Sequence, residues 1–271
     1  MRKLILLALI WSASVHADPI TAKSYIVTDA LGEVITEKNA DAVMPIASIT
    51  KLMTAIVVLD SDQDLDEELK INNSLRGKYH TRLPRTVKSL PRITLLNLAL
   101  VKSDNLAAYT LCEHYPGGVA SCVSAMNRKA EELSLEQTVY TDPTGLDEGN
   151  VSTARELAKV IMVAQYYNTI KEASGMSEVK IQVKRKWWQF PNTNPMVRNG
   201  EDVMVSKTGY IRASGGCIAM MSVTTVGQRI IIILGSKSVR TRIPEAREIS
   251  VAVISGQDLT SSSYTNYSHT E

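Results

Sequence analysis

The sequence predicts an α+β fold. An antiparallel sheet of about five strands, drawn from both chain ends, is flanked by helices, with a mainly helical subdomain. Three observations carry this. Strand-like segments lie at 24–38 and again from 201 to 236. The stretch between them is written at helical spacing, from "MPIASITKLMTA" (44–55) to "VSTARELAKVIMVAQ" (151–165). A last apolar-periodic segment, "IPEAREISVAVIS" (243–255), closes the pattern as a helix.

The elements follow in order. Residues 1–17 read as a secretory signal: basic Arg2 and Lys3, apolar "LILLALIW", then "SVHA" ending in the small Ala17. The processed chain then begins near Asp18, and no later apolar run approaches the roughly 20 residues that span a bilayer. No transmembrane anchor is therefore expected. "SYIVTDALGEVITEK" (24–38) reads as two short strands around a turn at Ala30–Gly32. The helix holding Ile49, Leu52, Met53, Ile56 and Val57 is apolar around most of its circumference, which predicts a central position. Residues 92–114 and 119–134 read as helices, and Thr153 with Glu156 fits a capping box. "EDVMVSKTGY" (201–210), "GCIAMMSVTTV" (216–226) and "QRIIIILGS" (228–236) read as strands, the last two joined by a hairpin turn at Val226–Gln228. Residues 18–256 are read as one catalytic unit. The polar tail, 257–271, is expected to be disordered.

Setting aside Arg2 and Lys3 leaves 28 basic residues against 28 acidic ones. That balance argues against a nucleic-acid partner. Only His80, His114 and His269 follow the leader, with no ligand spacing, so neither a catalytic metal nor a cofactor is expected. Cys112 and Cys122 flank the turn "YPGG" (115–118). Two readings stand: a disulfide, which an exported chain can form, or small buried apolar side chains.

One residue does not suit its surroundings. Lys51 lies on the apolar helix, one turn after Ser48. A serine hydroxyl needs a base to become a nucleophile, and a lysine serves once its amine is neutral. Burial disfavours the ammonium, which supplies a reason for the apolar setting. The Ser-x-x-Lys pair is joined by "SDN" (103–105), after the apolar run "ITLLNLALVK", and by "KTG" (207–209) on a strand. Three such elements in this order form the active-site set of the penicillin-recognising serine enzymes.

The chain resembles the D-Ala-D-Ala peptidases, the low-molecular-mass penicillin-binding proteins, and is most like the penicillin-binding protein 7 type, the D-alanyl-D-alanine endopeptidases. "SDNLAA", "HYPGG", "PTGL", "NVSTAREL", "NTNPMV" and "KTGY" carry the resemblance, with the Ser48 helix and the first strands. It runs from about residue 24 to 255. The resemblance implies the β-lactamase/DD-peptidase-like fold and a periplasmic enzyme that hydrolyses the cross-linked stem peptides of peptidoglycan. It also implies covalent inhibition by β-lactams. Ser48 is implied as nucleophile and Lys51 as its base. Ser103 would relay a proton to the leaving amine, with Lys207 nearby, and Asn105 would orient the substrate amide or Lys51. The N–H groups of Ser48 and Tyr210 would make the oxyanion hole. Thr208, Gly209, Tyr210 and Arg242 would bind substrate, Thr208 through its carboxylate. Arg242, ranked above Arg240, would be the fixed cation for that carboxylate; the other reading is a solvated loop arginine.

"VKRKWWQFPNTN" (183–194) stays open as well. Trp187 and Trp188 either face an anionic glycan-peptide polymer or place one ring in the core and one on a rim. The rivals are three. A D-Ala-D-Ala carboxypeptidase fits the same motifs. A class A β-lactamase would need Glu-x-x-x-Asn, whereas Glu136 is followed at the fourth position by Tyr140 and Glu148 by Ser152. A non-catalytic penicillin-binding sensor would not need every catalytic position filled.

Overall fold

The computed structural model describes residues 20–256. The leader and the tail both lie outside the described residues. The strands are β1 (Ser24–Asp29), β2 (Val34–Lys38), β3 (Glu178–Val183), β4 (Lys186–Pro191), β5 (Val203–Ile211), β6 (Gly215–Thr224) and β7 (Gly227–Ser236). The longer helices are α1 (Lys51–Asp60), α2 (Arg92–Val101), α3 (Asn105–Glu113), α4 (Gly118–Glu132), α5 (Ala154–Ala164), α6 (Asn168–Gly175) and α7 (Arg242–Ser255).

Both chain ends share one five-stranded antiparallel sheet in the order β2-β1-β7-β6-β5. Its middle strands are apolar at consecutive positions because both faces are covered. Side chains alternate across a strand, so neighbours enter different cores. Ala219, Met221, Ile230 and Ile232 pack with α1 and α5, while Ile218, Met220, Ile231 and Ile233 pack with Ile243, Ala246 and Ile249 of α7. The hairpin turn falls at 225–226, between paired Thr224 and Gly227, slightly earlier than expected. β5 is an edge strand, so one of its sides remains open to a ligand.

α1 lies centrally, packed against α2, α3, α4 and α5. Its residues from Lys51 to Val58 are all buried. Cys112 and Cys122 are joined in a disulfide that ties α3 to α4, with their Cα atoms 5.4 Å apart. The single helix expected over 92–114 is broken at 102–104. Ser103 is left-handed (φ 60°), and the Asp104 carboxylate accepts a bond from the Ala107 N–H to cap α3. The capping box at α5 is half made. Thr153 accepts from the Glu156 N–H, but the Glu156 carboxylate turns away to Gln137 N–H and the Thr138 hydroxyl. Residues 178–191 form a hairpin, β3–β4, that the sequence pattern did not announce. Its turn passes through Lys184 at φ 58°, a conformation usually signalled by Gly or Asn.

Candidate active site

Ser48 belongs to a 3₁₀ turn, Ala47–Thr50, and Lys51 opens α1. This differs from one continuous α-helix, and the difference helps. Side chains three apart eclipse in a 3₁₀ turn, which stacks Ser48 over Lys51. Lys51 Nζ lies 2.9 Å from Ser48 Oγ and is fully buried. Nζ also donates to Asn105 Oδ1 at 2.8 Å and to the Thr144 carbonyl at 2.5 Å. A neutral amine has two N–H groups and one lone pair. The two fixed acceptors take the N–H groups and leave the lone pair facing the serine hydroxyl. Burial pulls the Lys51 pKa from 10.5 down to about 7, against the opposing fields of Asp142 and Asp104.

A second serine–lysine pair stands opposite. Lys207 of β5 donates to Ser103 Oγ and to its neighbour's carbonyl, Thr208 O, each at 2.8 Å. Its pKa is pushed well below the ordinary value by burial, then by the charges of Lys51 and Arg242. Ser103 reaches this position through the left-handed break between α2 and α3.

Two glycines bring backbones together. A Cβ on Gly145 (φ 78°) would lie 1.9 Å from the Ala47 carbonyl, and one on Gly209 would lie 3.1 Å from Ser48 N. Only glycine fits at 145, where both clash and positive φ exclude a side chain. At 209 the Ser48 turn and strand β5 touch, with Tyr210 the next residue on the edge.

Arg242 begins α7, is buried, and donates from Nη1 to the Gly209 carbonyl at 2.6 Å. Its Nε is buried without a partner, while Arg240 is exposed. The solvated-loop alternative is thereby overturned. The Thr208 hydroxyl donates to the Thr193 hydroxyl at 2.7 Å. Ser48, Lys51, Ser103, Asn105, Lys207, Thr208, Gly209 and Arg242 are thus drawn into one site, with exposed Tyr210 at its rim.

Two participants were not read from sequence. The first is the Thr144 carbonyl. Its loop is locked by Asp142, which accepts from the N–H groups of Thr144, Gly145 and Asp147. A backbone oxygen leaves no letter of its own, and Gly145 in "PTGL" was the available signal. The second is Thr193, the middle residue of "NTN". Among the described residues no group of three or more His, Cys, Asp or Glu side chains is placed to hold a metal. No described helix is long and apolar enough to cross a membrane.

The chain is similar to known proteins in sequence and in fold. Residues 12–238 match the family model described as D-alanyl-D-alanine carboxypeptidase. A D-alanyl-D-alanine endopeptidase of Escherichia coli K12 is 36% identical over 232 residues, covering 83% of this chain and 74% of that protein. One of Pseudomonas aeruginosa is 35% identical over 246 residues, covering 88% and 79%. Penicillin-binding protein D2 of Listeria monocytogenes, solved in a cefotaxime-bound form, superposes with a TM-score of 0.75 at 25% identity, covering 87% of this chain and 98% of that one.

Proposed function

The chain belongs to the D-alanyl-D-alanine carboxypeptidase family, and on that premise we propose how its residues cleave a substrate. It is a serine-type D-alanyl-D-alanine endopeptidase acting on peptide cross-links of peptidoglycan. The observation that carries the mechanism is the 2.9 Å contact between the Ser48 hydroxyl and a fully buried Lys51 amine. Ser48 Oγ attacks the carbonyl carbon of a D-alanine as its proton passes to Lys51 Nζ. Asn105 and the Thr144 carbonyl keep the amine aimed. The carbonyl oxygen becomes an oxyanion against the N–H groups of Ser48 and Tyr210, and such preorganised donors supply much of the rate. The C–N bond then breaks, and the leaving amine takes a proton through Ser103, held by Lys207. Thr208 and Arg242 hold the carboxylate of the leaving residue. Water cleaves the ester and restores Ser48.

β-Lactams fit the same steps, since they present an amide carbonyl and a carboxylate in a similar relation. Ring opening leaves the amine tethered, where it blocks the approach of water. The 142–150 loop turns a backbone carbonyl, Thr144 O, toward Ser48 at 3.5 Å, and its Glu148 is exposed. Of its other carboxylates, Asp142 is taken up by the loop's own N–H groups and Asp147 is exposed and accepts from the Gly149 N–H. The acyl-enzyme should last from minutes to hours, a barrier of about 20–23 kcal/mol. Labelling with a fluorescent penicillin and following bound dye tests this; rapid release with many turnovers would mark a β-lactamase.

The residues 18–256 would form the catalytic unit, and the leader would export it to the periplasm, which fractionation of cells expressing the full chain would check. The deciding experiment incubates cross-linked and uncross-linked muropeptides with the protein and reads products by mass. Loss of the cross-linked dimer is the expected result. Release of terminal D-alanine alone would make the enzyme a carboxypeptidase.

A further inference from the structure

We propose that the outward face of the β3–β4 hairpin, centred on Trp187, is a docking platform for the glycan strand of the cell-wall polymer. The inference rests on the reading above that peptidoglycan is the substrate. It names a surface that the bond-breaking chemistry does not use.

Strand alternation gives the hairpin two unlike faces. Val179, Ile181 and Phe190 are buried, and Trp188 packs beside them on the main core. The other face turns out. There Lys180 pairs with Gln189 and Gln182 with Trp187. Trp187 is 58% exposed, and the other three side chains are exposed as well. The two tryptophans therefore divide as rim and core, and the rim ring has no structural task within the hairpin.

The chemistry around Trp187 selects the occupant. A protein partner would be met by a contiguous apolar patch. Here one indole stands between two glutamine amides. A pyranose ring offers an apolar C–H face to an aromatic ring and hydroxyls to amides, so this pattern suits a sugar. The turn adds exposed Lys184 and Arg185, while Lys186 falls on the other face with its ammonium 5.0 Å from the Trp188 ring centroid. The polymer is anionic, since its stem peptides bear carboxylates and a muramyl unit that has lost its peptide exposes a lactyl carboxylate, and these charges complement the cations of the turn.

The platform is also tied to the site. Trp187 is four residues from Pro191, roughly 13 Å along an extended strand. Two residues beyond, the Thr193 N–H bonds the Val101 carbonyl at 2.9 Å, and the Thr193 hydroxyl meets Thr208. Cations flank this link: Lys102 follows Val101, and the Arg198 guanidinium donates to the Asn192 carbonyl. An anionic polymer lying on the hairpin would thus continue over positive charge toward Lys207 and Arg242.

The test separates docking from hydrolysis. Binding to insoluble peptidoglycan sacculi is measured by co-sedimentation in a Ser48→Ala background. Trp187→Ala should weaken binding roughly tenfold, with Trp187→Phe retaining most of it. Replacing Lys184 and Arg185 by Gln should weaken binding and flatten its salt dependence. Peptide-free glycan strands should compete, and free stem peptides should not. In the Ser48 enzyme, Trp187→Ala should leave penicillin acylation and turnover of small soluble cross-linked peptides unchanged, which also shows that it folds. Unchanged sacculus binding by Trp187→Ala, competition by peptides alone, or Trp187-dependent binding to anionic phospholipid vesicles in place of glycan would overturn the proposal. Trp187-dependent binding by a chain that cleaves no cross-link would leave the platform standing and remove the endopeptidase reading.

Discussion

The two serine–lysine pairs use the same side chains and differ in what surrounds them. Lys51 sits on a helix inside the helical region, between a carbonyl and an amide oxygen, with two carboxylates raising its pKa against burial. Lys207 sits on the sheet edge and meets one hydroxyl and one carbonyl. Its charged neighbours are cations, and they lower its pKa further. Burial is common to both; the sign of the neighbouring field is not. The first amine is held near neutrality at about 7, where it can take a proton and return it. The second is unfavourable as a cation, and on the proposed mechanism a substrate carboxylate would offset Arg242 and Lys51. On that mechanism both pairs handle a proton, the first taking it from Ser48 and the second passing one to the leaving amine, and only the second lies in a field of cations that a substrate carboxylate would offset.

Arginine substitution breaks the comparison most sharply. Arginine keeps the charge but does not act as a base at ordinary pH. Lys51→Arg should cut acylation by about 10²–10⁴-fold. Lys207→Arg supplies a permanent cation for the substrate carboxylate to meet, keeps donors for Ser103, and should lose much less. Labelling rates with a fluorescent penicillin, beside a melting curve to show folding, measure both. Equal losses would mean that the two lysines share one role.

The cationic side is sharpened by its proposed carboxylate contacts. On the proposed mechanism Thr208→Ala would remove one charge-assisted hydrogen bond to the substrate, worth roughly 1.5–3 kcal/mol, or about 10–100-fold in kcat/KM. Arg242→Ala should harm carboxylate-bearing substrates more than their amides, and paired kinetics on the two would show it. A uniform loss would leave Arg242 only its bond to the Gly209 carbonyl.

Much of this contrast was legible before any coordinates, and for a local reason. Ser48–Lys51 is fixed by spacing within one turn, and the "SDN" and "KTG" letters mark the other two elements, although the helix break at Ser103 was not read. The sheet from both chain ends could be read from its change of period. What stayed hidden depends on backbone. Ser48 lies in a 3₁₀ turn that apolar periodicity cannot distinguish from an α-helix. The Thr144 carbonyl reaches Lys51 because Asp142 folds its loop and Gly145 lets it close on Ala47. The β3–β4 hairpin turns through a left-handed lysine, so no Gly or Asn announced it. Arg242 was implied only by the family resemblance, and its burial on Gly209 needed the fold.

The smallest expected effect is also the most direct test of the field around Lys51. Because burial holds its pKa at about 7, the amine is protonated and idle below that pH and free as a base above it. Acylation should therefore rise with pH through about 7 and then level. The linkage has the matching sign. Lys51 titrates near 7 in the folded chain and at 10.5 as its ordinary value, so the unfolded chain binds more protons between them. Its contribution to stability should rise with pH across that window. Asp142 and Asp104 both oppose the depression. Asp142 is the poorer choice for substitution, because its carboxylate also accepts the N–H groups that shape the Thr144 loop. Asp104→Asn removes a charge and keeps an oxygen able to cap α3. The limb should then move to lower pH, so that the variant acylates faster than the parent on the acid side and alike on the plateau. Penicillin acylation rates measured from about pH 5 to 9 would show it. A limb that stays in place would mean that Asp104 does not act on Lys51, and a limb that moves upward would reverse the sign on which the contrast between the two lysines rests.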